Sequence, residues 1–449
     1  MPTFTFSTIT AAQALAFTAS DTLNIDLDSA NTSTVLFVPA SGGNPDQITL
    51  VAGGRSVTFS TALSAATKTY ADGSSLYVGT SGNDAPAAFG ATNDGLYGGA
   101  GSDTLNGGDG TNQLQGNQGD DVLRGGAGRD VIYGGQDNDQ IFVGASASGG
   151  STNFGQGNRG DDTVNGSAVD TDTLLGGQGN DLIGATGVGV PNADGFYTSP
   201  TGGTAGGDDF LNGNLGNDTI YGGSGSERIF GEDGNDAIFS GGGRDTIDAG
   251  AGNDLVAFTG GNLVLLGDGD DLGADFNQID TAGSTVDGGA GNDGIAGGAG
   301  SDSLVGGSGD DTIDGQRGAD TVAGGTGSDQ FQFYSTEARM AQANLDRIID
   351  WSGAEDRLYF ENGNSSVAVG GGTAGNYFEG TAADYAAALS AANAQIAGGV
   401  VNYVAIQVGA DVFVFVDSNT NNGVADSAVM LVGRSLTDIA FNNFDAISQ

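Results

Sequence analysis

A nine-residue repeat constrains this chain more than any other feature of its sequence. The stretch from Gly98 to Tyr133 reads GGAGSDTLNGGDGTNQLQGNQGDDVLRGGAGRDVIY and aligns with itself at every ninth residue. Because a unit this short cannot bury an apolar face alone, the repeat predicts a solenoid in which each coil packs on its neighbours. Units of this length occupy residues 89–142, 157–184, 204–257 and 279–332.

The positions within a unit have separate physical roles. Glycine at the first, second and fourth places allows the positive φ angles of tight turns. The last three places form a very short strand, whose central apolar residue points inward. The repeat therefore predicts a chain that coils around a thin apolar core. In the first block the inward residues are Leu105, Leu114, Leu123, Ile132 and Ile141.

An acid occupies the sixth place of most units, at the end of the glycine turn. Backbone carbonyls in a turn lack strand partners, so they add oxygen atoms beside each carboxylate. Stacked coils lie about 4.8 Å apart, which brings these oxygens close to those of the next coil. Clusters of hard oxygen ligands suit calcium better than they suit softer metals. The sequence therefore predicts calcium ions that bridge neighbouring coils.

The residue composition excludes several classes of function. The chain has no histidine and no cysteine, which removes the usual zinc sites, disulfides and His-dependent nucleophile systems. Its formal net charge of -44 disfavours nucleic acid and anionic membranes as partners. No apolar stretch approaches the length of a membrane span, so we expect no membrane insertion. We therefore predict a protein that is not an enzyme and whose surface binds cations.

At these residues the sequence resembles the RTX family of haemolysin-type calcium-binding repeats, with its G-G-x-G-x-D-x-U-x signature. The resemblance covers residues 79–332 and begins with GTSGND at Gly79–Asp84. It implies a right-handed parallel β-roll with two units per coil and rows of calcium ions along both edges. The expected fold class is all-β dominated, with this roll between a small N-terminal β domain and a C-terminal β-rich domain with one helix.

The resemblance also assigns calcium ligands residue by residue. Three units depart from the pattern at the sixth place. Asn112 and Ser284 would be weaker neutral ligands, and Glu227 is one methylene too long for a tight turn. The expected calcium carboxylates are Asp94, Asp103, Asp121, Asp130, Asp139, Asp162, Asp181, Asp209, Asp218, Asp236, Asp245, Asp254, Asp293, Asp302, Asp311, Asp320 and Asp329.

A tract rich in glycine and aspartate is also typical of a disordered linker. The constant spacing between the acid and the apolar residue instead favours an ordered roll when calcium is present. Without calcium, charged acids would face one another across every coil, so we expect disorder. Extracellular calcium modules bind at about 0.1–1 mM. The chain would therefore stay loose inside a calcium-poor cell and fold after export.

Three segments near residues 143–156, 185–203 and 258–278 break the nine-residue register. Insertions in solenoids map to loops, which often make binding contacts. Candidate contact residues in these segments are Phe196, Tyr197 and Phe276. The alternative is that these side chains merely cover the edges of the roll.

The two flanks differ from the repeats in their pattern of polar and apolar residues. Residues 1–78 alternate polar and apolar residues in TFTFSTIT and ITLVAGGRSVTF, which predicts a small all-β domain. This domain would cap the open end of the solenoid, or anchor the roll to a surface or another copy, and both roles stay open. Residues 333–449 follow the end of the repeats and predict a β-rich domain. Its one helix would have Thr381 as N-cap and end at Gly398 or Gly399.

Two motifs near the C-terminus bear on function. The end of the chain, LTDIAFNNFDAISQ, is similar to the uncleaved signals of type I secretion. The N-terminus lacks the basic region and apolar block of a Sec signal peptide, so the type I machinery is the expected export partner, in a Gram-negative bacterium. The stretch DSNTNNGVAD fits either a further calcium loop or a plain hairpin turn. Its candidate ligands are Asp417, Asn419, Asn421 and Asp426.

The sequence is compatible with three functions after these exclusions. The favoured one is a secreted structural protein that self-associates at the cell surface, as in a surface layer or an extracellular matrix. The alternative is an adhesin that binds a cell-surface polysaccharide or another ligand. An enzyme or a toxin is the least favoured, because neither flank contains a histidine or a G-x-S-x-G motif. Sheet, filament and monomeric rod all stay open.

Overall fold

The structure is a computed structural model of the chain. It divides into two compact units, Met1–Asp233 (unit 1) and Gly234–Gln449 (unit 2). The structure describes residues 2–27, 29–40, 45–145, 150–167, 169–184, 207–276, 281–334, 340–361, 371–417 and 423–445.

Unit 1 begins with two small sheets and a short helix. Its first strands are β1 (Thr3–Thr5), β2 (Thr22–Ile25), β3 (Thr34–Val38), β4 (Gln47–Ala52), β5 (Arg55–Ser60), β6 (Thr67–Tyr70) and β7 (Leu76–Val78). Strands β1, β2 and β6 form a parallel sheet, whereas β3, β4 and β5 pair antiparallel. Helix α1 (Ala11–Leu15) begins at Thr10, whose hydroxyl accepts the N–H of Gln13 at 3.3 Å. Phe6 and Phe59 stack in the buried core between these elements.

The repeats of unit 1 form a parallel β-roll. Successive strands alternate between two parallel sheets, so that Leu114 pairs with Ile132 of the next coil. These two residues are two repeat units apart, and both are fully buried, as are Leu105, Leu123 and Ile141. The predicted all-β parallel roll is thus confirmed. Its strands are β8 (Gly95–Ala100), β9 (Thr104–Asp109), β10 (Gln113–Gln118), β11 (Val122–Ala127), β12 (Val131–Gln136), β13 (Gln140–Phe142), β14 (Phe154–Arg159), β15 (Thr163–Asn165), β16 (Thr173–Gln178), β17 (Leu182–Gly184), β18 (Phe210–Leu215), β19 (Thr219–Gly223) and β20 (Arg228–Asp233).

Unit 2 contains a β-roll of the same construction. Its strands are β21 (Ala237–Gly241), β22 (Thr246–Ala251), β23 (Leu255–Phe258), β24 (Leu263–Asp268), β25 (Leu272–Asp275), β26 (Thr285–Ala290), β27 (Gly294–Ala296), β28 (Ser303–Ser308), β29 (Thr312–Asp314), β30 (Thr321–Thr326), β31 (Gln330–Tyr334), β32 (Asp346–Ile348) and β33 (Arg357–Glu361). Strand β32 pairs in parallel with β30, and β33 with β31. The glycine-rich repeats end near Gln332, but the coil makes one further turn beyond them.

The C-terminal part of unit 2 is β-rich with one helix. Helix α2 begins after Asp384, whose carboxylate accepts the N–H of Ala387 at 2.8 Å. The prediction of Thr381 as N-cap is wrong, because Thr381 pairs within a strand instead. Gly399 follows the helix with a φ of 69°, close to the predicted end. The elements are β34 (Tyr377–Ala382), α2 (Tyr385–Ile396), β35 (Tyr403–Val408), β36 (Asp411–Val416), β37 (Ser427–Leu431) and β38 (Phe444–Asp445).

Helical structure is a minor part of the described chain. Neither α1 nor α2 is long and apolar enough to cross a membrane. The apolar side of α2, formed by Ala388, Ala392 and Ile396, packs on Phe413 and Phe415. Short 3-10 turns lie at Ala30–Thr32, Thr61–Leu63, Gln342–Asn344, Leu436–Asp438 and Phe441–Asn443.

The three predicted interruptions differ from one another in the structure. Residues 143–156 include an insertion between β13 and β14, and strand pairing resumes at Phe154. Residues 258–278 contain β24 and most of a regular coil, in which Leu255 pairs with Leu272. Leu255 and Leu272 are 17 residues apart, one fewer than two repeat units, and Leu272 pairs in turn with Gly294, 22 residues further on. The repeat register therefore shifts twice, and the strand pairing tolerates both shifts. Residues 185–203, including Phe196 and Tyr197, lie outside the described residues.

Candidate metal centre

Glycine has two different roles in the turns of the repeat. Gly126, at a second place, has a φ of 110°, and a side chain there would collide with the Gly108 carbonyl of the adjacent coil. Gly116, at a first place, has no positive φ, so the predicted reason is wrong for that place. A Cβ on Gly116 would instead occupy the space beside the Asp121 carboxylate. The absence of a side chain at the first glycine therefore leaves room for the carboxylate and for a ligand bound to that carboxylate.

The sixth-place carboxylates form hydrogen-bonded ladders from coil to coil. The backbone N–H of Asp103 donates to Oδ1 of Asp121 at 2.7 Å, and the N–H of Asp121 donates to Oδ1 of Asp139 at 2.9 Å. The same contact joins Asp139 to Asp162, and Asp162 to Asp181. One oxygen of each of these carboxylates is therefore fixed by the backbone of the preceding coil.

In each of the two compact units, unit 1 and unit 2, two ladders run along the roll. We name edge 1 the ladder residues that directly precede even-numbered strands, and edge 2 those that precede odd-numbered strands. Each predicted calcium carboxylate lies on one of these edges and is at most 3% exposed. Edge 1 holds Asp94, Asp130, Asp209, Asp245, Asp302 and Asp320. Edge 2 holds Asp103, Asp121, Asp139, Asp162, Asp181, Asp218, Asp236, Asp254, Asp293, Asp311 and Asp329.

The second oxygen of most ladder carboxylates is buried and makes no hydrogen bond. Within the described ranges this holds for Oδ2 of Asp94, Asp103, Asp121, Asp130, Asp139, Asp162, Asp181, Asp209, Asp254, Asp271, Asp293, Asp311 and Asp329. A buried carboxylate oxygen without a partner is destabilising, because it has lost its hydration and gained nothing in exchange. A cation that contacts these oxygens would remove that cost.

Backbone oxygens lie beside these unpartnered carboxylate oxygens. A Cβ built on Gly116 would lie 2.7 Å from the carbonyl oxygen of Gly134 and closer still to Oδ2 of Asp121. At Gly306 the equivalent position is 2.5 Å from the carbonyl oxygen of Gly324 and again close to a ladder carboxylate, that of Asp311. Because glycine has no side chain, each of these positions leaves a small space, here called a cradle, that is lined by carboxylate and carbonyl oxygens.

The chemistry of the cradles fits calcium. Carboxylate and backbone carbonyl oxygens are the ligands that calcium prefers, and the glycine turns supply both. Among the described residues no group of three or more acidic side chains converges on one point. The cradles therefore combine a single carboxylate, such as Asp121, with oxygens of the backbone. When bound, calcium would supply positive charge that joins the oxygens of adjacent coils.

Burial raises the pKa of several ladder carboxyls. Loss of hydration raises the pKa of Asp121 and Asp162 to about 7 and that of Asp139 and Asp209 to about 8. The backbone N–H of Asp121 partly counters this rise in the pKa of Asp139, and the nearby Asp162 adds to it. A cation in the cradle would favour the charged form. Calcium binding therefore competes with protonation of these groups.

Further ladder residues lie outside the nine-residue register. Asp346, for example, accepts the N–H of Asp320 at 3.0 Å. All but Asp271, which is followed by Leu272 and Gly273, begin an Asp-x-apolar tripeptide such as Asp356-Arg357-Leu358, and this sequence signal could have identified them. A search with a fixed period misses the signal because insertions and deletions shift it. These missed aspartates are Asp172, Asp271, Asp346 and Asp356.

The repeat units that depart from the pattern keep their sixth-place side chains buried. Asn112, Glu227 and Ser284 are each at most 2% exposed. The hydroxyl of Ser284 accepts the N–H of Asn262 at 3.2 Å and donates to the carbonyl oxygen of Gly260 at 2.5 Å. The row of hydrogen bonds from backbone N–H groups to side-chain oxygens therefore continues through a residue that has no carboxylate.

The candidate calcium loop near the C-terminus is only partly described. Asn419 and Asn421 lie outside the described residues. Asp417 is buried, and its Oδ2 accepts the N–H of Gly423 at 3.2 Å. Asp426 is partly buried. A hairpin turn and a calcium loop both allow these contacts, so the calcium loop stays a prediction.

The fold and the oxygen-lined cradles define a calcium-binding parallel β-roll protein. A comparison with protein families agrees with this geometry. Several segments of the chain match the model of the RTX calcium-binding nonapeptide repeats, and this match supports calcium as the metal that the cradles bind. No curated protein matches the chain. The RTX calcium-binding nonapeptide repeat (4 copies) matches residues 90–114, 115–147, 148–183, 204–238, 221–256, 284–304 and 296–331.

Proposed function

We propose that the protein is a secreted structural protein that folds when it binds calcium outside the cell and then self-associates at the cell surface or in an extracellular matrix. The observation that carries this proposal is the row of buried ladder carboxylates, such as Asp121 and Asp139, whose Oδ2 atoms have no hydrogen-bond partner. RTX repeats are typical of secreted proteins, which supports the extracellular location.

Electrostatics supports calcium as the trigger of folding. Edge 2 of unit 1 places Asp103, Asp121 and Asp139 in successive coils, linked directly by the hydrogen bonds of the ladder. Buried like charges at this spacing repel strongly unless cations lie between them. Because calcium binds the folded ladder and not the separated acids, binding contributes directly to the free energy of folding. A calcium-poor cytosol would keep the chain unfolded for export by the type I machinery.

The proposed role needs no catalytic group. The chain has no histidine and no cysteine, and most of its buried acids lie in the ladders in the part that the structure describes. Bound calcium ions reduce the magnitude of the net charge of -44, and this lowers the repulsion between copies of the chain. Calcium would therefore promote both folding and self-association.

A calcium titration tests the proposal. The purified chain is moved from chelator to about 10 mM calcium, a range that brackets extracellular affinities, while circular dichroism and light scattering are recorded together. We expect β-structure and large particles to appear at the same calcium concentration. Magnesium is the matched control, because it holds its water more tightly and demands octahedral geometry. Folding to a stable monomer would remove self-assembly from the proposal, and a calcium-independent fold would overturn it.

Adhesion to a foreign ligand is the second candidate, and one surface of unit 2 favours it. Leu255 and Leu272 pair on adjacent strands, with exposed fractions of 36% and 48%, and Phe276 lies four residues further on at 66%. Exposed apolar groups of this kind often mark contact surfaces. A glycan array with Phe276→Ser as the control variant separates adhesion from self-association, because only adhesion predicts bound glycans that the variant loses.

A further inference from the structure

Asn112 takes the place of a carboxylate on edge 1 of unit 1. Its Oδ1 accepts the backbone N–H of Asp94 at 3.0 Å, and its own N–H donates to Oδ1 of Asp130 at 2.8 Å. The side chain is 1% exposed. The ladder therefore passes through this residue with the same backbone contacts that the aspartates make.

The other end of the Asn112 amide lies in the cradle. Its Nδ2 donates to the carbonyl oxygen of Gly125 at 3.5 Å. A Cβ built on Gly107 would be 2.7 Å from that nitrogen and 2.7 Å from the same carbonyl. In carboxylate units, such as that of Gly116 and Asp121, the equivalent space lies between Oδ2 and a carbonyl. At Asn112 an N–H group thus stands where the carboxylate oxygen would be.

The orientation of the amide follows from the ladder. An N–H group of Asp94 can only donate to an oxygen, so Oδ1 of Asn112 must face Asp94, and Nδ2 must face the cradle. An amide nitrogen with two hydrogens cannot bind a cation, but it can donate to a carbonyl. The expectation that Asn112 is a weak calcium ligand therefore conflicts with the geometry.

Two more asparagines on edge 1 accept a ladder N–H at Oδ1, and their Nδ2 groups donate hydrogen bonds to other acceptors. Oδ1 of Asn153 accepts the N–H of Asp130 at 3.0 Å, and its Nδ2 donates to the Gly144 carbonyl at 3.3 Å and to Oδ1 of Asp172 at 2.9 Å. In unit 2, Oδ1 of Asn262 accepts the N–H of Asp245 at 2.7 Å, and its Nδ2 donates to the carbonyl of Thr259 at 3.1 Å. Edge 2, within the described residues, has aspartate at every ladder position.

We propose that Asn112, Asn153 and Asn262 close their turns by hydrogen bonds in place of calcium, so that edge 1 is partly independent of the ion whereas edge 2 depends on it at every coil. This inference rests on the proposed binding of calcium. Each asparagine also removes one negative charge from its row, which lowers the repulsion between the flanking acids. The coils around Asn112 and Asn153 therefore form first, and they align the edge 2 carboxylates for calcium.

Calcium stoichiometry in the full chain tests the proposal. Bound calcium per chain is measured by elemental analysis after dialysis at saturating calcium. We expect Asn112→Ala to bind as many ions as the unmodified chain, and Asn112→Asp to bind one more. Loss of an ion in Asn112→Ala, or no gain in Asn112→Asp, would overturn the proposal. Asn153→Asp is the second carboxylate variant, for use where Asn112→Asp does not fold.

Hydrogen exchange in chelator gives a readout that does not depend on bound calcium. The N–H of Asp94 is bonded to the neutral Asn112, whereas the N–H of Asp103 is bonded to the charged Asp121. We expect slower exchange at Asp94 than at Asp103, and a loss of that difference in Asn112→Ala. Equal exchange in the unmodified chain would contradict the proposal. Failure of the proposed function is distinct from both results, because the unmodified chain would then bind no calcium.

Discussion

The backbone N–H of Asp121 donates a 2.9 Å hydrogen bond to Oδ1 of Asp139, eighteen residues further along the chain, while Oδ2 of Asp139 is buried with no such partner. One oxygen of the carboxylate thus joins two coils within the protein, and the other is available to a cation. This division explains why most ladder positions hold a carboxylate, because a side chain with one oxygen cannot fill both roles.

Replacing one ladder carboxylate by an amide should weaken calcium binding without breaking the ladder. In Asp121→Asn the Oδ1 atom still accepts the N–H of Asp103, but the cradle now holds an N–H donor. We expect one calcium ion fewer per chain and a weaker overall affinity for calcium, because this cradle has lost its single carboxylate. Isothermal titration calorimetry measures both quantities.

The neighbouring Asp120→Asn is the matched control for this variant. Asp120 is exposed, and its Oδ1 accepts the N–H of Asn138, a contact that the amide preserves. Both variants remove one negative charge from the same turn. If Asp120→Asn weakened calcium binding as much as Asp121→Asn, the effect would come from net charge and not from the cradle.

The regular part of the roll could be predicted from the sequence because one period fixes two properties at once. The apolar eighth-place residues, such as Leu114 and Ile132, must face inward, and the sixth-place acids then fall at the turns. Strand pairing between identical units leaves only one register that keeps both rows aligned. The parallel roll follows from that register.

The exceptions could not be predicted, because they depend on contacts between coils and not on the period. Asp271 follows a coil that is one residue short, and Asp356 follows an insertion, so neither is in phase with the repeat although both join the ladder. The reason for glycine at Gly116 lies in the neighbouring carboxylate, not in its own φ angle. The role of Asn112 depends on which way its amide faces, which only the partners of its two ends determine.

Acid should partly replace calcium as a folding agent. The pKa of Asp121 in the folded chain is raised to about 7 and that of Asp139 to about 8, mainly by burial, against about 3.9 for an unfolded aspartate. A group with a raised pKa binds more protons when the chain is folded, so its contribution to stability is complete below about pH 4 and lost as the pH rises through 7–8. In chelator we therefore expect β-structure to increase as the pH is lowered from 8 to 5.5.

Circular dichroism in chelator measures this pH dependence directly. Since protons stabilise the folded chain through the same carboxylates, the calcium concentration at the midpoint of folding should fall as the pH falls, although the folded chain then binds each ion more weakly. Asp121→Asn, with one titrating group fewer, should show a shallower dependence than the unmodified chain. Loss of β-structure on mild acidification in chelator would contradict this account.

A methyl group in the cradle should act much like the loss of a ligand. In Gly116→Ala the new Cβ would lie 2.7 Å from the Gly134 carbonyl oxygen and closer to Asp121 Oδ2. We expect a higher calcium midpoint and a free energy of unfolding lower by roughly 1–3 kcal/mol, because a small group has been forced into a packed site. Gly90→Ala is the control, since no atom lies within 4 Å of its added Cβ. Equal effects of the two variants would indicate a general cost of replacing glycine.

A cavity in the core should destabilise the roll in a way that calcium cannot restore. Leu114 is fully buried, so Leu114→Ala should lower the free energy of unfolding by about 2–5 kcal/mol. Calcium stabilises the folded chain by mass action, so the effect of a weakened calcium site shrinks as the ion concentration rises well above its dissociation constant. The effect of a lost core side chain does not shrink, because it is the same with and without the ion.

Denaturant unfolding of Leu114→Ala and Asp121→Asn at 1 mM and at about 10 mM calcium, values spanning the weaker extracellular affinities, separates the two mechanisms. We expect the deficit of Asp121→Asn to decrease between these concentrations and that of Leu114→Ala to stay constant. Leu215→Ala, at a side chain that is 45% exposed, should change stability by less than about 0.5 kcal/mol at both. A deficit of Leu114→Ala that disappeared at high calcium would mean that the apolar row stabilises the roll only by positioning the cradles.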